Sequence, residues 1–273
     1  MKLLPTQACS APFDAVAERY DEIFTDSAIG RAQRAAVWST LDKTFCAGDQ
    51  VLEIGCGTGV DACHLVDRGV RVTACDNSQR MIALTGRRAQ FQQKEAFIDA
   101  RVLAAEQLDD LSAGPFDGAF SNFGALNCVR DPAALASSLA RLLRPGAIAL
   151  LCWMGPNCMW EVLFYLARGD RGKAFRRFHQ GGVLARLGDG PPIRVMYPSV
   201  HTLTRAFAPH FRLQSVQGVG VFVPPSYCEH WARRFPQLLG LAEWADGAFG
   251  ACPGIRMLAD HILLCFERKT SER

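Results

Sequence analysis

Three glycines at alternate positions, Gly55, Gly57 and Gly59, follow the apolar run Val51-Leu52-Glu53-Ile54 and lead into a helical pattern. A strand that turns through glycine into a helix offers bare backbone to a ligand, because glycine accepts left-handed conformations and carries no side chain. In an open α/β sheet this first turn lies at the carboxyl ends of the strands, where ligands bind. Glu53 sets a carboxylate beside the turn, which would repel a pyrophosphate and suits a ligand with an ammonium group. The dinucleotide fingerprint needs glycine where this chain has Val60, and no Lys-Ser/Thr pair follows the glycines as a triphosphate-binding loop requires. The next apolar run ends in Ala74-Cys75-Asp76-Asn77-Ser78, about twenty residues on, where an acidic side chain can accept hydrogen bonds from both hydroxyls of a ribose.

The elements that must position these residues follow from periodicity. Phe13, Val16, Ala17, Tyr20 and Phe24 recur at helical spacing and predict an amphipathic helix over 13–24, with a second over about 29–44. Short apolar runs predict strands at Gln50–Ile54, Val70–Cys75, Ala100–Ala104, Phe116–Ser121 and Ala147–Trp153. Helices are predicted between them at about 59–68, from the cap residue Ser78 to Lys94, and from the Asp131-Pro132 start up to Pro145-Gly146. A helix at about 199–208 and strands at Phe211–Gln217 and His261–Glu267 complete the pattern. Residues 155–198 show helical pieces but no clear strand, and 221–256 is a second long connection. Alternating strands and helices imply an α/β, doubly wound, mostly parallel sheet of seven strands, with a largely helical cap inserted over one end. The expected organisation is lid helices over 1–44, a core over 45–153, a cap insertion over 154–198, and a C-terminal part of the sheet over 199–273.

Composition removes other classes. A net charge of +3 over 273 residues is too weak to argue for nucleic acid or an anionic membrane. Pro5 and Gln7 interrupt the first apolar stretch, and the run from Ala147 to Met154 is far short of a membrane span, so the chain reads as soluble and cytoplasmic. The 11 cysteines include no CxxC pair, which points to free thiols in a reducing compartment and to no metal site.

Glu53-x-Gly55-x-Gly57-x-Gly59 matches at every position, and so resembles, the first motif of class I S-adenosyl-L-methionine (SAM) dependent methyltransferases of the small-molecule type. Phe116-Asp117-Gly118-Ala119-Phe120-Ser121 is similar to that family's fourth strand, and Leu142-Leu143-Arg144-Pro145-Gly146 to its LkPGG turn, with Ala147 in place of the second glycine. The likeness covers about residues 13–153 and fades over 155–260. It implies SAM as cofactor and S-adenosyl-L-homocysteine as product. It implies cofactor contacts from Glu53, Gly55, Cys56, Gly57 and Gly59 on the turn, and from Asp76 and Asn77 on the ribose. Met81 is implied against the adenine, Ala105-Glu106 at its amino group, and Asn122 and Phe123 beside the sulfonium. Tyr20 corresponds to an aromatic of the lid helix that closes over the methionine end.

On the acceptor side the sequence offers Trp160, Glu161, Tyr165, His179, Tyr197, His201, Tyr227 and His230, of which Tyr197 and His201 are the expected catalytic pair. Asn127 is a further candidate for orienting the acceptor. The basic stretch Arg168 to Arg177 suits a carboxylate, a phosphate or an acidic carrier protein, or is a solvated helix face. A small-molecule acceptor, free or carrier-tethered, and O- or N-methylation are expected, and no Asn/Asp-Pro-Pro-Tyr motif is present. A SAM-consuming cyclase and a non-catalytic SAM-binding scaffold remain as alternatives, and the oligomeric state is open.

Overall fold

The structure, a computed structural model, describes residues 11–179 and 181–270. The N-terminal residues Pro5 and Gln7, and with them the first part of the expected lid segment, lie outside the described residues. Seven strands form one sheet: β1 (Gln50–Ile54), β2 (Arg71–Asp76), β3 (Ile98–Val102), β4 (Phe116–Ser121), β5 (Leu143–Met154), β8 (Phe211–Val219) and β9 (His261–Arg268). Their order is β3-β2-β1-β4-β5-β9-β8. The first five are parallel, and β9 runs antiparallel to both β5 and β8. A short antiparallel pair, β6 (Val183–Ala185) and β7 (Ile193–Val195), stands apart, so the stretch expected to lack strands holds a hairpin. Three-residue strands are too short to show alternation, which is why periodicity missed them.

Helices α1 (Ala28–Thr44), α2 (Val60–Asp67), α3 (Gln79–Phe91), α4 (Pro132–Leu142) and α7 (Val200–Phe207) alternate with the strands of the sheet. Their starts are written in the sequence. Ser27, Ser78, Asp131 and Ser199 each accept a backbone N–H in the first turn, at Gly30, Met81, Ala133 and Thr202 respectively. Apolar residues fill both faces of the sheet. Leu52, Leu139, Leu151, Trp153 and Phe266 belong to one cluster, and Val37, Leu41, Val51, Val72 and Phe120 to the other. The connection after β5 carries α5 (Met159–Leu166) and α6 (Arg171–Ala174), and that between β8 and β9 carries α8 (Glu229–Arg234) and α9 (Pro236–Phe249).

The predicted N-terminal helix is not an α-helix. Residues 12–25 form two 3₁₀ turns, Pro12–Ala15 and Ala17–Arg19, followed by a π-helical turn, Asp21–Thr25. The apolar spacing is helical, but the segment is held by side-chain bonds to the glycine turn and to α3 with its cap Ser78. Asp14 bonds Ser78, Asp21 accepts from Thr58 at 2.7 Å and pairs with Arg88, and Glu18 pairs with Arg87 at 2.9 Å.

Candidate active site

The strand order reverses direction between β1 and β4, and a crevice opens there at the carboxyl ends of the parallel strands. The glycine turn builds its floor. Gly55 (φ +70°) donates to the Cys75 carbonyl at 2.7 Å, and Gly57 (φ +55°) donates to Asp76 Oδ2 at 3.0 Å. Asp76 Oδ1 accepts from the Ser78 N–H at 2.9 Å, so this carboxylate joins the turn to the start of α3. A side chain at Gly55 would lie 2.2 Å from the Ala125 Cβ, whereas nothing stands within 4 Å of Gly57, whose open side faces the crevice.

The crevice has a volume of about 270 Å³. Tyr20, Gly55, Gly57, Asp76, Asn77, Met81, Ala105, Glu106, Asn122 and Phe123, expected from the sequence as cofactor contacts, all line it. Cys56 lines a smaller adjoining cavity of about 30 Å³, together with Arg34, Thr58, Asp61 and Tyr20. Glu53 is buried beneath the turn, and Gly59 is packed against Thr85, 2.7 Å from where a Cβ would reach its Cγ2. Ile193, on the β6–β7 hairpin, reaches the crevice from the cap side.

Two residues that the sequence reading passed over sit at the centre. Arg34 of α1 is buried and pairs through Nη1 with Asp61 Oδ2 at 2.6 Å. Asp61, in the first turn of α2, also accepts from Trp38 Nε1 at 2.7 Å and from Asn122 Nδ2 at 3.2 Å. Arg34 Nε has no partner, and its guanidinium lies 4.9 Å from the centre of the Phe123 ring and 5.8 Å from that of Phe24. A signal was present: Gly30, Arg34, Val37 and Leu41 follow one helical face, and an arginine on a core face has to be paired.

Glu53 and Asp61 lie close to the Arg34 guanidinium, and Asp76 adds a third carboxylate to the crevice. Burial, reinforced by Asp61 and Asp76, pushes the Glu53 carboxyl well above the usual range, and its Oε2 has no hydrogen-bond partner. Burial raises Asp76 as well, against the N–H groups of Ser78 and Gly57. The Tyr20 hydroxyl is pushed up to about 12 by burial. An unpaired buried carboxyl oxygen in an acidic pocket suits a ligand that brings positive charge, and SAM brings both an ammonium and a sulfonium.

The loop after β4 is strained where it meets the crevice. Phe123 has φ +44°, unfavourable for a bulky residue, and its N–H is held by the Asn122 side chain at 3.0 Å. Asn127 is used up structurally. Its side chain donates to the carbonyls of Met154 and Met196 at 2.9 and 2.5 Å and accepts the Met154 N–H at 2.8 Å, so it has no group left to orient an acceptor.

Neither Tyr197 nor His201 lines the crevice. Tyr197 is half-buried, follows the Met196 anchor, and has the Arg177 guanidinium 5.3 Å from its ring centre. His201, exposed on α7, does not line the crevice, and His179 and His230 are exposed. Trp160 donates to the Val221 carbonyl at 3.0 Å. Phe164, Tyr165 and Tyr227 form an aromatic group with ring centres 4.4–5.8 Å apart. Only the end of the basic stretch is spent inside the fold: Arg176 and Arg177 both bind Glu161, and Arg177 also binds Asp260 Oδ1 at 2.6 Å, while Arg168, Arg171 and Lys173 are exposed. Among the described residues no group of three or more His, Cys, Asp or Glu could hold a metal, and no helix is long and apolar enough to cross a membrane.

Comparison with known proteins agrees with this geometry. Residues 52–151 match the family described as "Methyltransferase domain". A demethylmenaquinone methyltransferase of Clavibacter sepedonicus is 31% identical over 143 residues, 52% of this chain and 56% of the relative. Among solved structures, the CcbJ methyltransferase from Streptomyces caelestis superposes with a TM-score of 0.63 at 15% identity, covering 96% of this chain and 100% of that one. The [4+2]-cyclase SpnF gives 0.62 at 16% identity, covering 97% and 98%. At such identities these two likenesses speak for the fold alone.

Sheet order and glycine turn together define the class I methyltransferase fold. Residues 52–151 match the methyltransferase-domain family, and the chain spans about half the length of the curated relatives it matches.

Proposed function

We propose that the protein transfers a methyl group from SAM to a hydroxyl or amine of a small, apolar, ring-bearing molecule held beneath the cap. The observation that carries this reading is the acidic crevice, whose lining unites the glycine turn, Asp76 and Met81 with Tyr20 and Phe123. Bound SAM supplies a methyl group already activated on a positively charged sulfur.

In this reading Asp76 and Asn77 hold the ribose, and Met81 and Ala105-Glu106 flank the adenine. Glu53, Asp61 and Arg34 set the charge of the methionine end, with Arg34 placed for a carboxylate and the acidic groups for the ammonium. Gly55, Cys56, Gly57 and Gly59 bring the backbone close. Tyr20 and Phe123 exclude water and fix the acceptor for in-line attack, the main task when the methyl donor is already activated. Residues 154–198 and 221–256 act as the cap, and its aromatics Trp160, Tyr165 and Tyr227 favour an apolar acceptor. Tyr197 walls the acceptor side, and His201, exposed on α7, takes no part. Several relatives are named ubiquinone biosynthesis O-methyltransferases, which supports an oxygen acceptor, whereas another is named a ubiquinone/menaquinone biosynthesis C-methyltransferase.

The test is direct. Protein freed of ligand is titrated with S-adenosyl-L-homocysteine by calorimetry, then incubated with SAM and a panel of free and carrier-linked phenols, catechols and amines. Micromolar binding together with methylated product and S-adenosyl-L-homocysteine is the expected result. Absence of binding, or release of methylthioadenosine in its place, would overturn the reading.

A further inference from the structure

A surface helix ordinarily turns its apolar side to the core and its charges to water. Two helices of the cap do the reverse. In α5 the one buried residue is Glu161, while Leu163 and Leu166 are exposed. In α9 the buried residues are Leu239 and Asp246. The inward acids have structural duties: Asp246 accepts the N–H groups of Val221 and Phe222 at 3.0 and 2.8 Å, and Glu161 binds Arg176 and Arg177. The outward apolar side chains have none inside the fold.

On α9 these side chains form a ridge. Leu238, Leu241 and Trp244 follow one another at every third residue on the side turned away from Leu239 and Asp246, and they are 49, 59 and 63% exposed. Phe235, just before α9 and 46% exposed, carries the ridge into the rest of the cap. Its ring centre lies 6.3 Å from that of Trp231 on α8, which lies 6.4 Å from that of Trp160 on α5. Among the described residues nothing covers the ridge. Single exposed leucines need no explanation, but a contiguous group of large apolar side chains marks a contact surface. The chain enters both cap connections from the carboxyl ends of β5 and β8, where Met154 and Val219 pair with the same residue of β9, so the surface rises from the edge of the sheet at which the crevice opens.

Cations rim this surface. Arg233 and Arg234 end α8 immediately before Phe235, and Arg168, Arg171 and Lys173 follow α5. One aromatic group joins the two sets: the Arg168 guanidinium lies 3.5 Å from the Phe164 ring centre, and Phe164 packs 4.4 Å from Tyr227, just ahead of α8. All five cations are exposed, whereas within 159–179 and 226–249 the exposed carboxylate is Glu243. Asp170 caps α6, and Glu229 accepts the N–H groups of Ala28 and Ile29 and pairs with Arg233. The net charge of +3 for the whole chain hides this local excess.

We propose that the outer side of α9, with α8 and the end of α5 beside it, seats the protein on an anionic phospholipid bilayer. Phe235, Leu238, Leu241 and Trp244 enter the boundary between headgroups and acyl chains, and the rim cations meet the phosphates. A lipid surface answers both features of the patch. A second copy of this chain would find almost no opposite charge on the rim beyond Glu243, and an acidic carrier protein would answer the cations but leave the ridge without a duty. Attachment of this kind lies on the bilayer without crossing it, and its strength is the sum of apolar burial and charge attraction. It would bring the crevice edge of the sheet to a reservoir of apolar molecules, a consequence that rests on the proposed methyl transfer; the binding itself does not.

The experiment sediments the full chain with vesicles of phosphatidylglycerol or of phosphatidylcholine at low and high salt. Wild type should bind the anionic vesicles, bind the zwitterionic ones far less, and be released as salt screens the rim. Leu241→Ser combined with Trp244→Ser should weaken binding to phosphatidylglycerol by roughly tenfold or more. Arg233→Gln combined with Arg234→Gln should weaken it several-fold and flatten its salt dependence. Phe91→Ser, at a residue 89% exposed at the end of α3 and outside the cap, should bind as wild type does. All these positions are exposed, so every variant should keep the wild-type midpoint in urea. Light scattering without lipid should give one oligomeric state for wild type and the ridge variant. Failure of wild type to bind phosphatidylglycerol, equal binding to both lipids, or full binding by the ridge variant would overturn the inference. So would an oligomer that wild type forms and the ridge variant loses, which would make a second copy the occupant. None of these readouts involves turnover: a protein that binds vesicles yet methylates nothing would sink the proposed function alone.

Discussion

Two glycines two residues apart have different duties, and alanine separates them. At Gly55 a Cβ would lie 2.2 Å from that of Ala125 and the backbone sits at φ +70°, so strain and overpacking act together. Gly55→Ala should destabilise the fold by roughly 2–6 kcal/mol, seen as a lower midpoint in urea. At Gly57, with φ +55° and open space, only backbone strain applies, about 1–2 kcal/mol. Its methyl group would stand in the crevice, so Gly57→Ala should bind S-adenosyl-L-homocysteine at least tenfold more weakly, on the order of 1.4 kcal/mol, in a protein that still folds. Equal stability losses in the two variants would contradict this division.

At the scale of elements, the parts legible in the sequence are those fixed by neighbours along the chain. Ser78 and Asp131 announce helix starts because the groups they cap lie two or three residues on. The glycine turn is legible because left-handed backbone demands glycine. The Arg34–Asp61 pair and the Arg177–Asp260 pair were not, because only the folded topology brings residues 27 and 83 positions apart together. The N-terminal segment shows the converse failure: its apolar period is helical, but ties from Asp14, Glu18 and Asp21 to the glycine turn and α3 impose 3₁₀ and π turns. Those ties make a prediction. Asp21 holds both Thr58 and Arg88 at partly exposed positions, so Asp21→Asn should cost global stability only about 0.5–1 kcal/mol. Hydrogen exchange over residues 12–25 should nevertheless quicken, and S-adenosyl-L-homocysteine should dissociate several-fold faster. Unchanged exchange there would mean that apolar contacts alone hold the segment over the crevice.

Across the whole molecule, the sheet and the cap are joined by buried charge. Arg177, 6% exposed, links Glu161 of α5 to Asp260 at the start of β9. Arg177→Met would leave the buried Asp260 carboxylate without its arginine and Glu161 with Arg176 alone, and should cost about 3–5 kcal/mol. The pair also weakens in acid: Asp260 has its carboxyl held below the usual range despite burial, by His261 and Arg177. Its stabilisation is present above the unfolded pKa of 3.8 and is lost as the pH falls through the folded value, so the deficit of Arg177→Met should shrink in acid.

The crevice has the opposite polarity and ties cofactor binding to pH. Burial, reinforced by Asp61 and Asp76 and opposed by Arg34, raises the Glu53 carboxyl well above 4.5, so the ligand-free protein takes up a proton there at a higher pH than an unfolded chain does. Entry of an ammonium, and a contact to the unpaired Oε2, favours the charged carboxylate and expels that proton. Binding of S-adenosyl-L-homocysteine should therefore release protons, and its affinity should rise as the pH increases through the raised Glu53 pKa. Calorimetry in two buffers of different ionisation enthalpy measures this, since the apparent binding enthalpy then differs by the protons released times the difference between buffers. Glu53→Gln, which has no proton to lose, should show one enthalpy in both buffers and weaker binding. A wild-type protein whose enthalpy is the same in both would show that Glu53 is already ionised in the empty crevice, and that the charge balance drawn around Arg34 is wrong.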